Sequence, residues 1–162
     1  MLSSDESYSG KIHSFDIGQI KYDDTNRHHS FHAIKNYEKG ELIISFSASS
    51  IQENPDRFTV QINENKHIVL EPDYLKYLNH SCDPNCFVDV DHLQLIALKP
   101  ILKEEELNFF YPSTEWDMSE PFQCQCATAE CLQKIKGAAH IPLNTLKKYR
   151  LSSFIEQKMK AQ

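Results

Sequence analysis

Apolar residues in this chain fall in short runs separated by turn-forming residues. Ile12, Phe15, Ile17, Ile20 and Tyr22, broken by Gly18, predict two short strands with a turn between them. Phe31, Ala33 and Ile34 predict a further strand, Asn36 to Gly40 a turn, and Leu42 to Phe46 a largely buried strand. Arg57 to Gln61 alternates, and a turn at Asn63 to Lys66 predicts its return as His67 to Leu70. Phe87 to Val90 and Leu93 to Leu98 predict a second hairpin around Asp91 and His92, closed by Pro100, which cannot donate to a central ladder. Leu107 to Tyr111 predicts a strand that ends at Pro112.

Helical signals are few. Asp73 to Leu78 predicts a short helix with Asp73 as its cap. Asn144 to Lys160 carries Leu146, Tyr149, Leu151, Phe154, Ile155 and Met159 near helical spacing, and predicts a C-terminal amphipathic helix capped by Asn144 and covering the sheet. Met1 to Gly10 is rich in Ser and Asp and reads as loose. Ser113 to Phe122 reads as a polar loop whose Trp116 and Phe122 are either core plugs or ligand lids. No repeat or low-complexity tract interrupts the pattern, and the expectation is a mainly β chain.

At 162 residues the chain is about one domain, long enough to bury a core, and 40% apolar content argues for a folded globule. No apolar run approaches the roughly 18 residues of a membrane span, and the N-terminus lacks the basic and apolar regions of a signal peptide. The expectation is an intracellular protein, cytoplasmic or, in a eukaryote, nuclear, with no membrane partner. A net charge of −6 argues against a direct nucleic-acid partner and is compatible with a basic peptide, although such a surface also serves solubility.

Five cysteines in a reducing compartment suit metal binding better than disulfides. Cys82 lies in the run NHSCDPN, Asn79 to Asn85, whose side chains favour tight turns. Some forty residues on, Cys124, Cys126 and Cys131 form CxCxxxxC. Brought together, these thiols make a closed structural zinc site with no open position for water activation; the alternative is free thiols. Cys86 is left over and reads as a small buried residue. In His28 to His32, HHSFH, strand geometry puts His28, Ser30 and His32 on one face and His29 on the other, as solvent-facing or pocket-lining histidines more than as a second metal site.

With NHSCDPN, then EEELNFFY (Glu104 to Tyr111), then CxCxxxxC in that order, the chain resembles the SET-domain protein lysine methyltransferases with a post-SET zinc segment. The resemblance implies a β-clip fold of short strands with a pseudoknot, S-adenosylmethionine as cofactor, and a structural zinc ion. It divides the chain into an N-terminal extension (1–26), a SET domain (27–115), a post-SET segment (116–137) and a C-terminal helix (138–162). Tyr111 matches the family's catalytic phenol. Asn79, His80, Ser30, Phe31, Lys76, Tyr77 and Phe122 match the cofactor surface, and Cys82, Cys124, Cys126 and Cys131 the zinc ligands. Phe109, Phe110 and Trp116 are expected around the substrate channel, with core packing as the alternative for each.

The chain departs from the family pattern in three places. Where the family has the glycine-rich GRGVFA, this chain has His28, His29, Ser30, Phe31, His32 and Ala33; Phe110 stands for an Asp and Glu104 for a Gly. The resemblance implies methyl transfer to a lysine of a protein or peptide, for example a basic histone-like tail. The altered entrance implies two alternatives: a scaffold turned to a small molecule, or a catalytically silent binding module.

Overall fold

The computed structural model describes residues 13–162; the loose start expected at Met1 to Gly10, and Ile12, lie outside the described residues. β1 (His13–Ser14), β2 (Gly18–Asp23) and β3 (His28–Ala33) form an antiparallel sheet in that order. Ile20 pairs with Phe31 across β2 and β3, and both are fully buried, so the alternation of the two strands is satisfied by one shared core face. Residues 13–23 are thereby paired to the domain through six registered positions of β2.

β4 (Leu42–Ser45) is followed by β5 (Ser47–Gln52), β6 (Thr59–Asn63) and β7 (Lys66–Glu71), of which the last three form a sheet ordered β5-β7-β6. β7 was legible from its apolar run. β5 was not: SASSIQ is polar and mostly exposed, and it is a strand because it is the edge partner of β7. The run Arg57 to Gln61 is a strand only from Thr59, because Thr59 Oγ1 and Asp56 bond each other and hold a turn there.

A 3-10 turn over Asp73–Tyr77 replaces the expected short helix, and Pro72, not Asp73, occupies the capping position without a side-chain cap. β8 (Asn79–His80), β9 (Cys86–Asp89), β10 (Gln94–Ala97) and β11 (Asn108–Phe109) then build a sheet ordered β4-β10-β9-β11-β8. β11 enters between β8 and β9 and runs parallel to both, so the chain at 106–110 passes through the loop that joins two earlier strands, which is the expected pseudoknot. Only two residues of the expected strand Leu107 to Tyr111 are paired as a strand; Phe110 is still extended, and Tyr111–Ser113 closes into a 3-10 turn around Pro112.

β12 (Phe122–Gln123) and β13 (Lys134–Ile135) form a small hairpin around the cysteine loop. The expected continuous C-terminal helix is two helices, α1 (Leu143–Leu146) and α2 (Ser153–Lys160). Asn144 lies inside α1, and Ser152 caps α2 by accepting from Ile155 N–H at 3.4 Å. The break is tertiary in origin: Arg150 donates to Asp89 at 3.2 Å, Ser152 N–H to Ser113 O at 2.9 Å, and Ser153 N–H to Asp91 at 2.9 Å. Among the described residues no helix is long and apolar enough to cross a membrane.

Three apolar clusters result. The main one fills the space between the sheets; a second gathers Phe110, Ala138, Leu146, Phe154 and Ile155; a third joins Cys82, Cys124 and Ile135. Gly137 joins β13 to the second cluster at φ +109°, where an added Cβ would stand 2.5 Å from Trp116 O.

Candidate active site and metal centre

The threaded strand is locked by a reciprocal pair of asparagines. Asn85 N–H donates to Asn108 Oδ1 at 3.1 Å, Asn108 N–H donates to Asn85 Oδ1 at 3.0 Å, and Asn85 Nδ2 donates to Glu106 O at 2.8 Å. Asn85 is buried, so each of these bonds satisfies a group that water cannot reach. Asn79, the first residue of the same run, donates through Nδ2 to His29 O at 2.9 Å and to Glu106 Oε1 at 2.7 Å, tying the entrance strand β3 to the crossing. Asn85, Glu106 and Asn108 were not singled out from the sequence, although all lie inside the two motifs.

Tyr111 leaves the crossing with its phenol donating to Leu78 O at 3.0 Å. Its ring lies 4.7 Å from Phe109, 5.3 Å from His80 and 5.9 Å from Phe122, centroid to centroid. Burial, then the nearby Glu106 carboxylate, pushes the phenol well above its ordinary range, so it stays a protonated donor. Its backbone N–H donates to His80 Nδ1 at 3.2 Å. Burial brings His80 down to about 4, which makes it a neutral imidazole at physiological pH.

The four expected zinc ligands converge. The Sγ atoms of Cys82, Cys124, Cys126 and Cys131 all lie within 4.8 Å of one another, with Cys82 and Cys124 3.9 Å apart. A tetrahedral site with Zn–S near 2.3 Å separates its sulfurs by about 3.8 Å, so the cluster fits a zinc ion and not a disulfide. Burial drives the Cys124 thiol up to about 11 and Cys82 further, a cost that a bound cation removes. At Cys126 burial acts in the same sense but is outweighed by hydrogen bonds from Thr128, which bring the thiol down to about 6. Leu132 N–H donates to Cys82 Sγ at 3.3 Å and Cys126 Sγ lies 3.2 Å from Thr128 Oγ1, the outer contacts that orient such ligands. Cys86 stays apart, fully buried in β9.

Of the residues expected around the site, Asn79, His80, Phe109, Tyr111, Phe122 and the four cysteines are brought together. Tyr77 is buried with its ring 4.7 Å from His29, and the Lys76 ammonium lies 5.2 Å from the Tyr77 ring. Ser30 Oγ bonds His32 Nε2 at 2.9 Å on the outer face of β3. Phe31 turns inward and stacks on Tyr74 at 5.2 Å, so only its backbone faces the crossing. Phe110 and Trp116 belong to the C-terminal cluster: Phe110 stacks on Tyr149 at 3.7 Å and 6°, and Lys158 lies 5.2 Å from the Trp116 ring. The Phe110 ring thus anchors α1 and the segment after it, which an aspartate at this position could not do. Glu104, where the family has glycine, adopts φ +75° and is held there by Lys21 and Gln19 at 2.8 Å each.

A family model for the SET domain matches residues 32–112, half of the chain. The chain belongs to the SET-domain family. Methyltransferase flvH of Aspergillus flavus is 37% identical to it over 100 residues, covering 60% of this chain and 56% of flvH. Human histone-lysine N-methyltransferase 2B is 37% identical over 62 residues, 35% of this chain and 2% of that protein. The chain therefore spans little more than half of one such relative and a small part of the other. The solved structure of KRYPTONITE in complex with mCHG DNA and SAH superposes with a TM-score of 0.53 at 16% identity, over 65% of this chain and 26% of that one, a likeness of fold. The chain thus shares a mainly β SET fold with a family that includes methyltransferases, and the cysteine cluster is compatible with zinc.

Proposed function

We propose that this SET domain transfers a methyl group from S-adenosylmethionine to the side-chain amine of a lysine in a protein or peptide. The observation that carries this reading is the seat of Tyr111: its phenol is fixed on Leu78 O at 3.0 Å, beside the β8–β11 crossing and among the rings of Phe109, His80 and Phe122. When bound, the cofactor supplies a methyl carbon on a positively charged sulfur, the electrophile of an in-line displacement.

What remains for the chain is to orient the amine and to favour its neutral form. A lysine ammonium ordinarily titrates near about 10.4, so it must lose a proton before it can attack. The apolar walls of Phe109 and Tyr111 strip water from it and disfavour the charged form. Their faces meanwhile attract an alkylammonium as it arrives. The Tyr111 proton is committed to Leu78 O, which leaves the phenol oxygen free to accept from the incoming amine.

The cofactor surface proposed here comprises Asn79, Ser30, Lys76, Tyr77 and Phe122, with His80 and Phe31 contributing backbone. Phe110 and Trp116 brace the site from the C-terminal cluster. The zinc ligands hold β12, and with it Phe122, over Tyr111. A histone-like basic tail suits the acidic chain, and relatives named as histone-lysine N-methyltransferases support it.

A small amine as acceptor is a second reading, favoured by one observation. The His29 ring packs 4.7 Å from both Tyr22 and Tyr77, and its neighbours His28 and Ser30 stand where the family pattern has its two glycines, so side chains fill part of the entrance. Labelled S-adenosylmethionine offered with a panel of basic peptides, free lysine and simple alkylamines separates the readings. Peptide methylation that falls about a hundredfold or more in Tyr111→Phe supports the first. Methylation of free amines alone supports the second, and zinc-loaded protein that binds no cofactor would leave a silent binding module.

A further inference from the structure

We propose that the His80 side chain is a positioning residue, which ties Cys82 Sγ to the backbone amide of Tyr111 so that closure of the four-cysteine site sets where the phenol stands. The inference rests on the reading of Tyr111 and the zinc ligands above, and adds to it a side chain that otherwise serves only through its backbone. His80 Nδ1 accepts the Tyr111 N–H at 3.2 Å, and an amide N–H can only donate. That nitrogen is therefore bare, and the neutral ring carries its proton on Nε2. Nε2 lies 3.3 Å from Cys82 Sγ, within the range of an N–H···S hydrogen bond, and no other contact competes for it among those described.

The ring cannot turn over without losing both bonds at once, because a half-turn puts carbon atoms where the two nitrogens stand. Phe110, Tyr111 and Phe122 pack around it at 5.6, 5.3 and 5.6 Å and hold its plane. Residue 111 is consequently gripped at two points by two residues of one short stretch: its amide by the His80 ring and its phenol by Leu78 O at 3.0 Å. A displacement of Cys82 moves the imidazole, and the imidazole moves the amide end of Tyr111 relative to the phenol end. A second link runs alongside, since Leu132 N–H donates to the same sulfur and so fixes the cysteine loop to it. Removing an outer partner of a metal ligand typically changes metal affinity or activity by about 10- to 100-fold, so the link is large enough to measure.

The test uses the zinc-loaded full chain and two substitutions that each keep half of the link. In His80→Asn the amide oxygen takes the place of Nδ1, keeping the acceptor for Tyr111 and losing the donor to Cys82. In His80→Gln the amide nitrogen takes the place of Nε2, keeping the donor and losing the acceptor. Nitrogen-15 spectra of the wild-type imidazole are expected to show a bare Nδ1 and a protonated Nε2. His80→Asn is expected to speed zinc release to a chromogenic chelator by about 10-fold or more. His80→Gln is expected to hold zinc as the wild type does, to move the Tyr111 amide resonance and speed its hydrogen exchange, and to lower kcat about 10-fold with little change in the KM for S-adenosylmethionine. A wild-type ring protonated on Nδ1, or two variants that disturb both readouts alike as a packing residue would, overturns the proposal. The chelator and resonance readouts need no turnover, so a wild type that methylates nothing would sink the proposed function and leave this link to be judged separately.

Discussion

Replacing Glu115 by glutamine removes a buried charge and leaves its hydrogen bonds in place. The Glu115 carboxylate lies beside the turn that follows Tyr111, where Oε1 accepts from Gln61 N–H at 2.8 Å and from Thr114 Oγ1 at 3.1 Å. Burial raises it from an ordinary 4.5 to about 7, with those two bonds opposing. A carboxyl that holds its proton more tightly in the folded state stabilises the fold fully below its unfolded value. That contribution fades as the unfolded chain ionises, and it is gone once the pH passes the folded value, near 7. A rise of this size corresponds to about 3 kcal/mol at most, of which about 2.5 kcal/mol is lost between pH 5 and pH 8.

Glutamine accepts the same two hydrogen bonds and never ionises. Urea unfolding of zinc-loaded wild type and Glu115→Gln at a series of pH values isolates the term, because every other titration is common to both proteins. The variant is expected to gain on the wild type by about 2 kcal/mol on going from pH 5 to pH 8. A difference between the two that stays flat across this window, or a variant that falls further behind as pH rises, would refute the assignment of a buried, proton-retaining carboxyl.

Gly137→Ala forces a side chain onto φ +109° and to within 2.5 Å of Trp116 O, and is expected to cost about 2–3 kcal/mol or more, read as a lowered Tm. Asn85→Ala leaves Asn108 N–H without its acceptor and Glu106 O with only the 3.3 Å bond from Asn108 Nδ2, and is expected to destabilise by about 2 kcal/mol, whereas Asn85→Asp, which keeps the acceptor, should retain part of that in chemical denaturation. Phe110→Ala removes the stack on Tyr149 and should cost about 3–5 kcal/mol, with protease cleavage appearing first in residues 141–152. Stripping zinc with a chelator is expected to abolish the hydrogen-exchange protection of the Leu132 and Cys124 amides, both bonded in the cysteine loop, while the β9–β10 hairpin keeps its own.

Much of the site was legible because its chemistry lies in residue types at fixed spacings. Four thiols in a reduced chain point to one metal, and NHSCDPN followed by EEELNFFY names the Asn, His and Tyr that the fold brings together. The antiparallel hairpins were legible too, since alternation and turn residues act within a few positions of each other. What tertiary structure decided are the features in which distant groups override local preference. SASSIQ is a strand because β7 offers it a ladder. The helical periodicity of 144–160 is interrupted because Asp89 and Asp91 bind Arg150 and Ser153 more favourably than the next helical turn would. An aromatic residue at 110 shows in sequence that a ring is present; which way it faces depends on its neighbours. Phe109 goes to Tyr111 and Phe110 to Tyr149, because neighbouring residues on extended backbone point to opposite faces. The threading of β11 between β8 and β9 rests on two strand-paired residues and an asparagine clamp, too short a signal for periodicity to carry and closed only when three parts of the chain meet.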